Sequence, residues 1–164
     1  ETDAAEDLRR AIRWVRAHAQ SYNVAPDRIG VMAFSAGGEL ANLVIYQPTE
    51  GDADASDHIE QFSARPDFQI QIYPGPIGLP DHLHSPPPPA FFLAAFEDHG
   101  PELTISRHLD MYRQAGIPAE VHIFAHGAHA FNMGDRSQLQ TISNWRHGLT
   151  DWLDDSGYLS QPEP

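Results

Sequence analysis

The sequence predicts an α/β protein built on a doubly wound, mainly parallel sheet. Three observations predict it. Short apolar runs alternate along the chain with longer segments of helical periodicity, the pattern that lays strands side by side with helices crossing between them. Residues 90–96 are apolar at every position, as expected of a strand covered by helices on both faces. The run over residues 28–34 stops at Ser35-Ala36-Gly37-Gly38, where small residues let a strand turn at once into a helix.

Taken in order, the first helix is expected from residue 4 to about 22. Leu8, Ile12, Val15 and Ala19 share one face, with Arg9, Arg13 and Arg16 turned outward. A turn over 23–27 leads into the strand at 28–34 and a helix at 36–46. Residues 47 to about 66 form an acidic loop with room for a short helix, and 50–57 reads as a solvated stretch. The second strand, 68–73, ends at Pro74-Gly75-Pro76, and 75–89 is too rich in turn residues for regular structure. A third strand at 90–96 precedes a helix at 104–115, stopped by Gly116-Ile117-Pro118. The fourth strand is 119–124, residues 126–134 are a loop, and 137 to about 156 is a closing helix carrying Ile142, Trp145, Leu149 and Trp152.

Composition bounds the function. At 164 residues the chain is expected to be one domain, 1–164, with a proper core. A net charge of −13 disfavours nucleic acid or a membrane surface as partner. The lack of cysteine excludes disulfides, thiolate metal sites and a cysteine nucleophile. No apolar run approaches a membrane span. Ten histidines invite a metal reading, with His82 and His84 alternating in one loop and His122 and His126 near the fourth strand. No His-Glu-x-x-His pattern occurs, so neither a metal nor a cofactor is expected. The proline run 86–89 reads as a stiff entry to the third strand.

The chemistry concentrates at strand ends, where open α/β sheets place their sites. Ala33-Phe34-Ser35-Ala36-Gly37 has the strand–turn–helix context of a nucleophile elbow, with Ala33 where glycine is usual. Such a turn lifts the Ser35 hydroxyl above the sheet edge. The helix start beyond it aims the Ala36 N–H at a developing oxyanion. The plainer alternative is a serine that merely caps the next helix. Asp98 follows the third strand, with adjacent Glu97 as its rival, and His129 follows the fourth, with His126 as its rival. The order serine, acid, histidine is that of one hydrolase class among several with the same triad.

With these residues in view, the chain resembles the α/β-hydrolase superfamily. Within it the chain is similar to the bacterial acetyl-esterase and acetylxylan-esterase-like group, related to dienelactone-hydrolase and prolyl-oligopeptidase-type sequences. The resemblance runs from about Asp7 to Leu159. It rests on Asp27-Arg28-Ile29-Gly30-Val31, the serine elbow, Ala64-Arg65-Pro66-Asp67-Phe68, Tyr73-Pro74-Gly75 and Pro88-Pro89-Ala90-Phe91-Phe92. Further marks are Ala115-Gly116-Ile117-Pro118-Ala119-Glu120, Gly127-Ala128-His129-Ala130-Phe131 and the helix with Trp145 and Trp152.

The resemblance implies Ser35 as nucleophile, His129 as base, Asp98 as its orienting acid and Ala36 as an oxyanion donor. Tyr73 and Phe131 are expected to wall a substrate pocket bordered by 75–89 and 126–134, the alternative being that both are simply core aromatics. It implies hydrolysis of small carboxylic esters, acetyl groups on carbohydrate among them. A prolyl-oligopeptidase-like peptidase and a non-catalytic half-domain serving as an interaction module are the alternatives. The family's sheet has eight strands, of which the last four are expected here, as the C-terminal half of the usual domain. The strand at 28–34 would then be an open edge, so a homo-oligomer or an upstream half is expected to cover it. On that reading the natural N-terminus is absent, and cytoplasmic and secreted locations both stay open.

Overall fold

The computed structural model describes residues 2–159. The amphipathic start folds as α1 (Thr2–Ala17) and a short α2 (Ala19–Tyr22) instead of one helix. His18 breaks it: its backbone leaves helical geometry, and its Nδ1 lies 2.8 Å from the Trp14 carbonyl. Asn23, in left-handed geometry at φ 53°, ends the second piece.

The arginines of α1 do not turn outward. Arg9 and Arg13 are buried, and the Arg16 side chain is only 12% exposed. Residues 47–67 lie along the helix, and much of their backbone has no ladder to satisfy its carbonyls. The guanidinium forks supply the donors. Arg9 donates to the carbonyls of Leu43 (3.0 Å) and Gln47 (3.2 Å), Arg13 to Phe62 (2.9 Å), and Arg16 to Ser63 (3.2 Å) and Arg65 (2.6 Å). The acidic loop is also pinned by ion pairs, Arg10 to Asp57 at 2.8 Å and to Glu60 at 2.7 Å. Within it, a 3-10 turn at His58–Gln61 is capped by Asp57, which accepts from the Ile59 N–H at 3.0 Å.

Four strands follow: β1 (Gly30–Phe34), β2 (Phe68–Ile72), β3 (Ala90–Ala95) and β4 (Ala119–Phe124). They pair in parallel in the order β1-β2-β3-β4. The helices between them are α3 (Ala36–Ile45) and α4 (Pro101–Ala115). The closing helix comes in two pieces, α5 (Gln140–Ser143) and α6 (Trp145–Asp155), parted at Asn144. Every residue of β3 is buried. Phe92 stacks on His108 of α4 on one face, while Phe91 meets Trp152 of α6 on the other. This is the architecture that an all-apolar central strand requires. No helix among the described residues is long and apolar enough to cross a membrane.

β2 departs from its pattern. Phe-Gln-Ile-Gln-Ile reads as a strand with one wet face, yet Gln69 and Gln71 are fully buried. Buried amides require partners. Gln71 donates to Asn42 of α3 (2.9 Å) and to Gln69 (2.6 Å), Gln69 donates to the Tyr112 hydroxyl, and Tyr112 donates to the Pro88 carbonyl (2.6 Å). Asn42 continues the chain to the Ile77 carbonyl at 3.0 Å, tying the network to the loop beside Ser35.

Candidate active site

The β1 ladder runs through to the turn, with the Ser35 N–H donating to the Ile72 carbonyl at 3.0 Å. Ser35 itself sits at φ 51° and ψ −122°, a conformation that costs an L-residue on the order of 1–3 kcal/mol. Small neighbours make this turn possible. A Cβ on Gly38 would lie 2.6 Å from the Pro74 Cβ, so glycine is needed where α3 passes the end of β2. Ala33 fits in place of the usual glycine, because a Cβ on Gly37 would lie 3.8 Å from the Ala33 methyl, an ordinary contact.

The Ser35 hydroxyl caps nothing in α3. Its Oγ lies 2.7 Å from His129 Nε2, and His129 Nδ1 lies 2.6 Å from Asp98 Oδ2. With Nδ1–H donating to the carboxylate, Nε2 is left as acceptor for the serine hydroxyl. The Asp98 side chain is 10% exposed and that of His129 is 43%, so the acid is enclosed and the imidazole opens to the site. Ala36, the first residue of α3, has an N–H with no intrahelical acceptor.

The rival residues are brought together elsewhere. His126 Nδ1 lies 2.9 Å from Glu97 Oε1, and the Gly127 N–H donates to Glu97 Oε2 at 3.0 Å. His126, and after it the Gly127 amide, hold the Glu97 carboxyl below the usual carboxylate range. Gly127 takes φ 142°, where a Cβ would come within 2.3 Å of Ile142 Cδ1, so this bend in the histidine loop needs glycine.

Ser35, Ala36, Tyr73, Asp98 and His129 line one cavity of about 340 Å³, with Glu39, Gly75, Pro76 and the His99, Gly100, Pro101 turn. The Tyr73 ring packs 4.7 Å from the His129 ring, and its hydroxyl accepts from the Asn132 N–H at 3.0 Å. Burial pushes the Tyr73 phenol up from its usual range. Phe131 takes a different place from the pocket wall expected of it. It is buried, packs 4.7 Å from Tyr73, and is absent from the cavity lining; it braces the wall. Of residues 75–89, Gly75 and Pro76 border the cavity. Asp81, His82, Leu83, His84, Ser85 and Pro86 line another cavity, with Met111 and Gln114 of α4. The sequence reading missed Glu39 and the His99 to Pro101 turn. Spacing signalled Glu39, which lies one helical turn beyond Ser35 and so on the same side of α3.

A serine at a strained strand-to-helix apex, over four parallel strands flanked by helices, places the chain in the α/β-hydrolase fold. The BD-FAE family matches residues 2–83, half of the 164 residues, and the chain belongs to that family. An acetylxylan esterase of Xylanibacter ruminicola is 25% identical over 179 aligned positions, covering 85% of this chain and 34% of that protein. Among solved structures, an acetyl ester-xyloside bifunctional hydrolase from Caldicellulosiruptor lactoaceticus superposes with a TM-score of 0.85 at 28% identity. That match covers 95% of this chain and 66% of the other. Esterase Est2 of Thermogutta terrifontis, solved with propionate bound, gives a TM-score of 0.75 at 26% identity over 98% of this chain and 67% of its own. The chain thus spans about a third of the acetylxylan esterase and about two thirds of these solved chains.

Proposed function

We propose that this chain, as a single domain, hydrolyses small carboxylic esters, acetyl esters among them, through an acyl-enzyme formed at Ser35. One observation carries the proposal: the unbroken hydrogen-bonded line Asp98 Oδ2, His129 Nδ1, His129 Nε2, Ser35 Oγ, at 2.6 and 2.7 Å, opening into a cavity. The names of the relatives, an acetylxylan esterase and an acetyl ester-xyloside hydrolase, support acetylated carbohydrate as the substrate class.

In this mechanism Ser35 Oγ attacks the ester carbonyl carbon while its proton passes to His129 Nε2. The carbonyl oxygen becomes an oxyanion beside the Ala36 N–H. Asp98 holds the imidazole in the required tautomer and stabilises the imidazolium. Collapse breaks the bond to the alkoxy oxygen, which leaves as alcohol with the proton from His129. Water then repeats the sequence, losing a proton to His129 as it attacks the acyl carbon. The acid leaves as Ser35 recovers its proton. Tyr73, packed on the His129 ring, forms the pocket wall and keeps the imidazole facing the serine.

The test is labelling with a fluorophosphonate followed by peptide mapping. The expected adduct is on Ser35 and is lost in Ser35→Ala. An adduct that persists at another serine in that variant contradicts the proposal.

A further inference from the structure

We propose that Glu39 is a charge filter for this site. Its carboxylate makes the pocket accept neutral or cationic esters in preference to esters carrying a carboxylate of their own. The proposal rests on the ester-hydrolase reading above and adds the electrostatic class of the substrate.

Glu39 lies on the wall of the Ser35 cavity. Its side chain stretches across Gly75, so closely that a Cβ there would sit 2.2 Å from Glu39 Oε1. It also lines the adjoining groove of about 300 Å³, with Leu40, Leu43 and Ile77. The carboxylate therefore stands on the ridge between the space above the nucleophile and an apolar channel beside it. A substrate longer than the acyl-transfer centre would pass this ridge on entering that channel.

The charge on this ridge is poorly compensated. Among the described residues, Glu39 is in no ion pair. The one hydrogen bond its carboxylate makes among the described residues, from the Ile77 N–H, is long at 3.4 Å. Asp98, the other acid on the cavity wall, is tied to His129 at 2.6 Å. His99 turns toward Glu102, 3.7 Å away. Glu39 sits in the first turn of α3, at the end of the helix that faces Ser35. A carboxylate with spare acceptor capacity can take hydrogen bonds from substrate hydroxyls or meet a cation. A second carboxylate brought into the same partly enclosed space meets like charge with reduced solvent screening.

The test uses two fluorophosphonates of equal length on the whole chain, one ending in a hydroxyl and one in a carboxylate. Each labels Ser35 without needing turnover. The wild type is expected to react at least about fivefold faster with the hydroxyl probe, and added salt should shrink that ratio by screening. Glu39→Gln, which keeps the shape and removes the charge, should bring the ratio to within about twofold of unity; Glu39→Asp should retain most of it. A ratio unchanged in Glu39→Gln, or a wild type indifferent to the two probes, overturns the charge filter and leaves the ester-hydrolase reading standing. A wild type in which neither probe reaches Ser35 overturns both.

Discussion

Glu97 binds His126 as Asp98 binds His129: two consecutive acids after β3 each hold one histidine of the loop after β4, at 2.9 and 2.6 Å. The two pairs differ in surroundings. The Glu97 and His126 side chains are 55% and 72% exposed, whereas Asp98 is 10% exposed and its histidine continues to Ser35. Exposed pairs contribute little, and enclosed charge-assisted ones contribute much more. Asp98→Asn is therefore expected to lower kcat on p-nitrophenyl acetate by ~10³ to 10⁴-fold. Glu97→Gln should lower it by less than about tenfold. Equal losses in the two variants would show that the exposed pair shares the catalytic role.

Backbone strain at Ser35 gives a second expectation. Ser35 holds φ 51° with ψ −122°, a region that glycine enters freely. Ser35→Gly should abolish labelling and raise stability by roughly 1 kcal/mol. Chemical denaturation of the two proteins measures this. A glycine variant less stable than the wild type would mean that the hydroxyl contacts outweigh the backbone strain.

Acid should weaken the fold through His108. This side chain is fully buried, stacked on Phe92 at 4.4 Å and 2.6 Å from the Tyr46 hydroxyl. Burial, and after it the charge of Arg107, pushes its pKa down to about 3 from the ordinary 6.5. Between those values the unfolded chain binds the extra proton, so stability rises with pH. The full contribution is present above about pH 6.5 and drains away as pH falls toward 3. The slope is about 1.4 kcal/mol per pH unit, giving a loss of about 2 kcal/mol from pH 6.5 to 5. Urea unfolding across that interval measures the loss, and NMR of the ring should find His108 neutral at pH 5. A ring that titrates near 6.5 contradicts the assignment.

Among the described residues β1 pairs on one side only, with β2, and Met32 at its centre is 40% exposed. An edge with unpaired backbone groups and an apolar side chain invites another strand. The 164-residue chain is expected to self-associate at micromolar concentration, and Met32→Lys to reduce that association. Sedimentation velocity would show it. A wild-type chain that stays monomeric at these concentrations would mean that this edge does not drive pairing.

What was legible in the sequence was local. The turn at Ser35 announces itself in consecutive residues whose sizes leave a strand and a helix few alternatives, and β3 declares its burial by being apolar throughout. The contest between Glu97 and Asp98 was not legible. Which acid meets His129 depends on the turn in which the Asp98 N–H returns to the Ala95 carbonyl at 3.1 Å, and nothing in either side chain dictates that turn. The burial of Arg13 depends on Phe62, a carbonyl 49 residues away, and that of Gln69 on Tyr112, 43 residues away. Helical and strand periodicity assign such polar residues to solvent, because the partner that desolvates them lies on another element. Glu39 escaped for a related reason. It reads as a polar position on an amphipathic helix until the close passage of Gly75 shows that it stands in the wall of the cavity.

The most direct measurement is a rapid-mixing experiment with p-nitrophenyl acetate, quenched in acid and analysed by peptide mass spectrometry. The expected result is a burst of p-nitrophenol of no more than one equivalent per chain, with an acetyl group recovered on the peptide containing Ser35. Both should vanish in Ser35→Ala and be strongly slowed in a variant lacking the His129 imidazole. Release of p-nitrophenol with no acetyl on Ser35 at any time, or turnover that survives Ser35→Ala, would contradict an acyl-enzyme at this residue.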